Sequence, residues 1–288
     1  MFLQRAIAAA DRICSGAMKE RIQKVLANAG VDSRRNVEAM VRQGRIHVNG
    51  KAVWDLPVLI NPAVDKVEVD GHPIRLKPAK EQRHFYFLLN KPRGVYATNV
   101  AQGAQIRAID LLPRNLRARL YPVGRLEAES KGLLLLTNDG DLTNKLTHAR
   151  YGVPKTYRAI VEGVPNERML AQLEEGVWLA DKSGKGFKTP RCKIRIAHRS
   201  PRQSVLELNL REGRNLQLRR MLAKIGHKVR EVTRTKFGPL TLDGVAPGKF
   251  RPLTPKEIRM LQKSPMERRA QKPERTSADQ AGDGEFED

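Results

Sequence analysis

One carboxylate stands out by its setting. The run YPVGRLEAESKGLLLLTNDGD, residues 121–141, places Glu127 directly after Gly124-Arg125-Leu126, in a polar loop between two apolar runs. The chain around it carries 54 Lys and Arg against 31 Asp and Glu, a net charge of +23. Such an excess selects a polyanionic partner, most often nucleic acid, and a carboxylate in the path of a polyanion repels it. Glu127 is therefore an accident of the surface, a salt-bridge partner or a reacting group. Glu129, two residues on, is the weaker candidate for the reacting role.

Other reactive constellations are missing. Cys14 and Cys192 lie far apart and match no metal spacing, and the six histidines are scattered without an HxxxH pattern. No metal site is expected. Two isolated cysteines point to a reducing compartment, here the cytoplasm, with no disulfide framework. There is no GxGxxG or Walker segment, so nothing supports a nucleotide cofactor. No apolar run approaches the ~18 residues a membrane span needs. Residues 1–18, MFLQRAIAAADRICSGAM, are broken by Arg5, Asp11 and Arg12 and lack the uninterrupted segment of a secretory signal. They read as a flexible extension, and both Met1 and Met18 stand as translation starts.

The elements that would position Glu127 fall into two blocks. Residues 19–78 read as a small α+β module. RIQKVLANAG puts Ile22, Val25, Leu26 and Ala29 on one helical face and stops at Gly30. Ser33 caps a second helix, RRNVEAMVRQG, which stops at Gly44. RIHVNGKAV is a hairpin about Asn49-Gly50, and VDKVEVDGHPI is another. Residues 83–262, after the charged connector LKPAKEQR, read as a larger α+β domain with a mainly antiparallel sheet. Its expected strands are HFYFLLNKPRGVYAT (two, about a Lys-Pro-Arg-Gly turn), RLYPVGRL, GLLLLTND, KTYRAIVEGV, RCKIRIAHR, SVLELNLREG and PLTLDGV. Its expected helices are DLTNKLTH, capped by Asp141, then NERMLAQLEEGV and NLQLRRMLAKIG. Residues 263–288 have almost no apolar side chains, end in an acidic run and read as a disordered tail.

Cations crowd the first block: Arg21, Lys24, Arg34, Arg35, Arg42, Arg45 and Lys51. They are either a solvated helical face or a phosphate-binding surface. The order of helix, Ser-Arg-Arg corner, second helix and Val-Asn-Gly hairpin resembles the S4 RNA-binding domain. That resemblance implies docking to structured RNA through phosphate contacts, with Arg21, Lys24, Arg34, Arg35, Arg42 and Lys51 as the contacting residues.

The second block resembles the RsuA/RluB-type pseudouridine synthases. GRLEAESKGLLLLTNDGDL, YFLLNKPRGVYAT, KTYRAIVEG and REGRNLQLRRMLAKIGHKVREVTRTKFGPLTL carry the resemblance, in the family's order. With the S4 block it spans about Arg21 to Leu261. It implies isomerisation of a uridine within ribosomal RNA, nearer the large-subunit branch. The bond from N1 to the ribose is broken, the uracil turns, and C5 is rejoined. No cofactor or metal is implied. The target nucleotide must leave its stack, as a flipped uridine from a stem-loop, and the chain is expected to act as a monomer. At the position of Glu127 the family has an Asp that either attacks the ribose or abstracts a ribose proton. Arg219 matches the arginine that pairs with that carboxylate. Tyr157 matches the aromatic that stacks on the uracil, and Leu218 the apolar residue on the other side of the base. Arg125, Asn90, Lys91, Arg214 and Asn215 fall in the same motifs and are expected to shape the pocket or hold the nucleotide.

Where the family reads Gly-Arg-Leu-Asp, this chain reads Gly-Arg-Leu-Glu. The extra methylene moves the carboxylate by roughly 1.5 Å on a fixed backbone, and ~1 Å of misplacement costs on the order of a hundredfold in rate. Two functions stand side by side: an RNA-modifying enzyme, favoured by the intact Tyr157 and Arg219 motifs, and a non-catalytic assembly factor that binds ribosomal RNA, favoured by Glu127. A DNA-binding role is weak, because no recognition-helix pattern is present.

Overall fold

The computed structural model describes residues 19–76, 83–113, 116, 118–181, 183–211 and 217–263. The extension expected at 1–18 and the tail beyond Lys263 lie outside the described residues, as does most of the connector. The chain divides into two compact units between His84 and Phe85.

In the first unit, β1 (Glu20–Arg21) pairs with β4 (Leu59–Ile60), and α1 (Ile22–Asn28) leads to α2 (Arg34–Arg42). Ile22, Val25 and Leu26 of α1 are buried against Val37 and Val41 of α2, the face the periodicity predicts. Ala29 is not on that face: it is the exposed C-terminal cap, because the helix ends one residue before it. The Ser33 hydroxyl accepts from the Asn36 amide at 3.1 Å, as expected of an N-cap. The Asn49-Gly50 turn joins β2 (Ile46–Val48) to β3 (Lys51–Val53) with both residues at positive φ, 52° and 79°. Asp70-Gly71 does the same between β5 (Val67–Val69) and β6 (His72–Ile74). The sheet runs β3-β2-β5-β6, all antiparallel.

The second unit is built on a nine-stranded sheet. Its strands are β7 (Tyr86–Lys91), β8 (Tyr121–Pro122), β9 (Lys131–Thr137), β10 (Lys155–Glu162), β13 (Lys193–Arg199), β14 (Gln203–Leu210), β15 (Val229–Phe237), β16 (Leu240–Thr241) and β17 (Phe250–Pro252). A separate hairpin, β11 (Trp178–Ala180) with β12 (Gly186–Lys188), stands beside it. The main order is β13-β14-β10-β15-β9-β7-β17. Every pair is antiparallel except β15 with β9, which run parallel at Thr233–Lys131 and Arg234–Gly132.

The leucine run explains the two layers. Leu134 and Leu136 of β9 enter one core with Tyr157, Leu206, Leu218 and Met221, while Leu133 and Leu135 enter the other with Leu142, Leu146 and Phe237. A central strand covered on both faces needs apolar residues without alternation. α3 (Gly140–Thr147) and α6 (Pro255–Gln262) cover the second core through Leu142, Leu146 and Leu261. α4 (Glu167–Glu175) and α5 (Gln217–Lys224) cover the first through Leu173, Leu218, Met221 and Leu222.

Several local expectations are corrected. Asp139, not Asp141, caps α3: its carboxylate accepts from the amides of Asp141 and Leu142 at 3.1 and 2.9 Å. The strand expected after the Lys-Pro-Arg-Gly turn is only an isolated bridge between Tyr96 and Arg107. RLYPVGRL and PLTLDGV contribute only the two-residue β8 and β16, since their remaining residues turn away into loops. The sequence reading missed β15, whose VREVTRTKF is rich in charge although it lies at the middle of the sheet. It also missed α6, although Thr254-Pro255-Lys256-Glu257 is a complete capping box.

Candidate active site

The loop between β8 and β9 carries Glu127. Gly124 enters it at φ +72°, Leu126 turns into the first core, and Arg125 is exposed. The Ser130 amide donates to the Glu127 carbonyl at 3.1 Å, closing a turn. The Ser130 hydroxyl donates to Glu127 Oε2 at 3.3 Å. Arg219, from α5, donates through Nε to the same oxygen at 3.0 Å and through a terminal nitrogen to the Val229 carbonyl at 3.3 Å. The pair is neither free nor sealed: the two side chains are 24% and 22% exposed. Tethered to both Ser130 and Arg219, the carboxylate has a defined direction.

The two residues expected to contact the base come from a strand and a helix. Tyr157, the third residue of β10, is 9% exposed and lies between Leu208 of β14 and Arg234 of β15. Leu218 opens α5 one residue before Arg219 and is 8% exposed. Leu126, Tyr157 and Leu218 belong to one apolar cluster, so the residues that three separate motifs supply are brought together. Arg214 and Asn215 lie outside the described residues. The Asn90 side-chain amide donates to the Val245 carbonyl at 2.8 Å, clipping the segment before β17 to β7.

Two buried cations brace the loop from behind. Lys91 has no exposed surface, and its ammonium donates to the carbonyls of Pro92, Val95 and Ala128 at 2.9, 2.8 and 3.2 Å. All its donors are thus used within the protein, and its part is to shape the loop. Arg234 is 1% exposed and donates to the carbonyls of Leu133 and Arg125 at 2.7 and 3.5 Å. Arg125 and Ala128 flank the Leu126–Glu127 pair, so both sides of the carboxylate's backbone are held. Sequence reasoning missed Arg234 and Ser130. Neither leaves a local signal, because their partners lie on other strands or within a turn. Glu129, set aside in the sequence reading, points to solvent and pairs with Arg93 at 2.6 Å.

Burial pushes the Lys91 ammonium down to about 8, aided by Arg234 and opposed by Glu129 and Glu127. Burial first and Arg234 second bring Lys155 of β10 to about 8 as well. The unfolded chain holds a lysine proton up to about 10.5. Between pH 8 and 10.5 the folded state therefore binds fewer protons at Lys91, and its stability relative to a chain without that lysine rises with pH. Urea unfolding of the parent and Lys91→Met is expected to show the parent gaining roughly 1–3 kcal/mol on the variant between pH 7.5 and 10. A pH-independent difference would refute the buried charge.

The basic residues of the first unit are mostly displayed. Arg21, Arg34, Arg35, Arg42 and Lys51 are exposed, while Lys24 is half-buried and pairs with Glu20 at 2.9 Å. Arg34 and Arg35 occupy the first turn of α2, where the helix dipole disfavours cations and no acidic residue offsets them. Arg45 is committed to Asp70 through two contacts of 2.7 and 2.6 Å.

Comparison with known proteins gives each unit a family match. Residues 20–55 match the S4 domain, and residues 85–224 match the RNA pseudouridylate synthase family. An uncharacterized RNA pseudouridine synthase of Aquifex aeolicus is 42% identical over 248 residues, covering 86% of this chain and 95% of its own. The ribosomal large subunit pseudouridine synthase B of Bacillus subtilis is 41% identical over 243 residues, covering 84% and 95%. A crystal structure of a pseudouridylate synthase superposes with a TM-score of 0.60 at 29% identity, over 84% of this chain and 99% of that one. No helix among the described residues is long and apolar enough to cross a membrane. Matched over most of its length at this identity, the chain belongs to the RNA pseudouridine synthase family.

Proposed function

We propose that this chain converts one uridine of large-subunit ribosomal RNA to pseudouridine, with Glu127 as the reacting carboxylate. The observation that carries the assignment to Glu127 is its contact with Arg219, on a loop whose Leu126 shares one core with Tyr157 and Leu218. The target uridine, flipped from its stem-loop, lies with its uracil between Tyr157 and Leu218 and its ribose toward Glu127. Glu127 either attacks the ribose or takes a ribose proton, and the bond to N1 breaks. The freed uracil turns and C5 bonds to the ribose as the Glu127–ribose bond breaks or the ribose proton is returned; C5 then releases its proton and N1 gains one. Reactant and product are isomers, so the balance calls for no cofactor. Arg219 and Ser130 aim the carboxylate, while Arg125 stands exposed at the cleft for the nucleotide's phosphates. Asn90 and Lys91 shape the pocket, and Arg214 and Asn215, by their motif, hold the nucleotide. The protein acts as a monomer in the cytoplasm.

The test is pseudouridine formation by the full chain on unmodified large-subunit and small-subunit rRNA fragments, read by carbodiimide-dependent reverse-transcription stops. One new stop in a large-subunit fragment is expected. Tight binding without product from any fragment would overturn the assignment and return the assembly-factor reading.

In the same reading the first unit docks the RNA through Arg21, Lys24, Arg34, Arg35, Arg42 and Lys51. Replacing both Arg34 and Arg35 by Ala is expected to weaken binding and lower the slope of log K against log salt by roughly 1–2. An unchanged slope across a salt titration would exclude this surface.

A further inference from the structure

We infer that the outer face of the β11–β12 hairpin, centred on Trp178, is a second RNA-docking element, which stacks an unpaired base of the strand flanking the target nucleotide. The inference rests on the RNA-modifying reading above and adds to it a surface outside the cleft.

The hairpin has two unlike faces. Val177 and Leu179 are buried at 3% and 7%, and Phe187 packs against the same core. One residue out of phase, Trp178 and Ala180 point the other way, opposite Lys188 and Gly186. Trp178 is 64% exposed. Leaving so large an apolar side chain in water forgoes burial that its neighbours on both sides obtain. Gly186 lies alongside, and a Cβ there would come 3.7 Å from the ring, so the indole rests beside a bare stretch of backbone.

Two lysines flank the ring. Lys188 is directly across from Trp178, and Lys185 is exposed at the turn. The acid at this turn, Asp181, is engaged by the amides of Ser183 and Lys185 and by the Ser183 hydroxyl, at 2.8, 3.0 and 2.6 Å. A flat aromatic ring flanked by exposed lysines matches a nucleobase and its phosphates. An unpaired base is required, because paired bases keep their faces stacked within the helix.

The hairpin is also tied to the site. Arg220, adjacent to Arg219 on α5, donates to the Ala180 carbonyl. The helix that holds the partner of Glu127 thereby holds the strand that presents Trp178. A base seated on this ring would help register the RNA against the cleft.

The chain has two tryptophans, so Trp54→Phe leaves Trp178 as the sole indole reporter. In this background a labelled single-stranded rRNA loop fragment is titrated, with anisotropy reporting binding and indole emission reporting stacking. Emission is expected to fall in step with anisotropy, and a fully paired stem of equal length is expected to leave it unchanged. Trp178→Ala in the otherwise unaltered chain is expected to bind the loop fragment roughly 5- to 100-fold more weakly, while Trp178→Phe retains most of the affinity. Thermal unfolding of each variant checks that the fold is kept. Anisotropy that saturates while the Trp178 emission stays flat would overturn the inference, as would quenching by the paired stem or Trp178→Ala affinity within about twofold of the parent. Absence of binding by the unaltered chain is a separate outcome, which would sink the RNA-modifying reading and this surface with it.

Discussion

Glu127→Gln is expected to reduce pseudouridine formation by at least about a thousandfold while leaving RNA affinity nearly unchanged. The amide keeps the size of the side chain and removes the charge that Arg219 faces at 3.0 Å. Glu127→Asp is the more discriminating variant. Asp is what the family carries at this position, so a scaffold merely disabled by the extra methylene would gain activity from it. The geometry argues the opposite. The longer side chain already meets both Arg219 and Ser130. Withdrawing the carboxylate by roughly 1.5 Å on a fixed backbone removes both contacts. Glu127→Asp is therefore expected to be slower than the parent by about 10- to 100-fold. Single-turnover rates on one rRNA fragment separate the cases: a faster Asp variant would refute the view that this loop is set for Glu, and an active Gln variant would remove the carboxylate from the chemistry.

Gly132→Ala is expected to destabilise the second unit by at least about 3 kcal/mol, or to prevent its folding. Gly132 begins the run of β9 beside Arg234, at the only parallel pairing among the described strands of the sheet. Its φ of +104° disfavours any side chain, and an added Cβ would lie 2.3 Å from the Arg234 carbonyl oxygen and 2.8 Å from its nitrogen. These are backbone atoms in mid-sheet, so neither can swing aside. Gly184 provides the contrast, with a similar φ of +85° and nothing within 4 Å of an added Cβ. Gly184→Ala is expected to cost only about 1 kcal/mol. Urea midpoints of the two variants separate steric closure from backbone strain. Similar losses for both would mean that the close approach of β9 and β15 is wrong.

Both results bear on what a linear reading can reach. The hairpins at Asn49-Gly50 and Asp70-Gly71, the Ser33 cap and the buried face of α1 are local features. Each follows from residues within a few positions of one another, and each was legible before any coordinates. The leucine run was legible as a strand, and its burial on both faces came only with the fold. Glu127, Tyr157, Leu218 and Arg219 were legible through motifs; the fold pairs Glu127 with Arg219 and buries Tyr157 and Leu218 in one core. The tertiary structure alone decided what braces the Glu127 loop from behind. β15 escaped notice because its alternation is broken by charged residues, and Arg234 is tolerated at its centre only because carbonyls from the β8–β9 loop and β9 accept its protons. Lys91 read as an RNA contact or a pocket residue until its ammonium proved enclosed by carbonyls of its own segment and the Glu127 loop. The destination of a buried charge is a property of strands distant in sequence, and spacing along the chain carries no record of it. Composition and motif order thus determined that this is a basic, RNA-directed chain with one carboxylate of unusual setting. Packing decided that Lys91 and Arg234 brace the loop whose carboxylate the motif-predicted Arg219 and the local Ser130 aim, because only the assembled sheet brings their donors within reach.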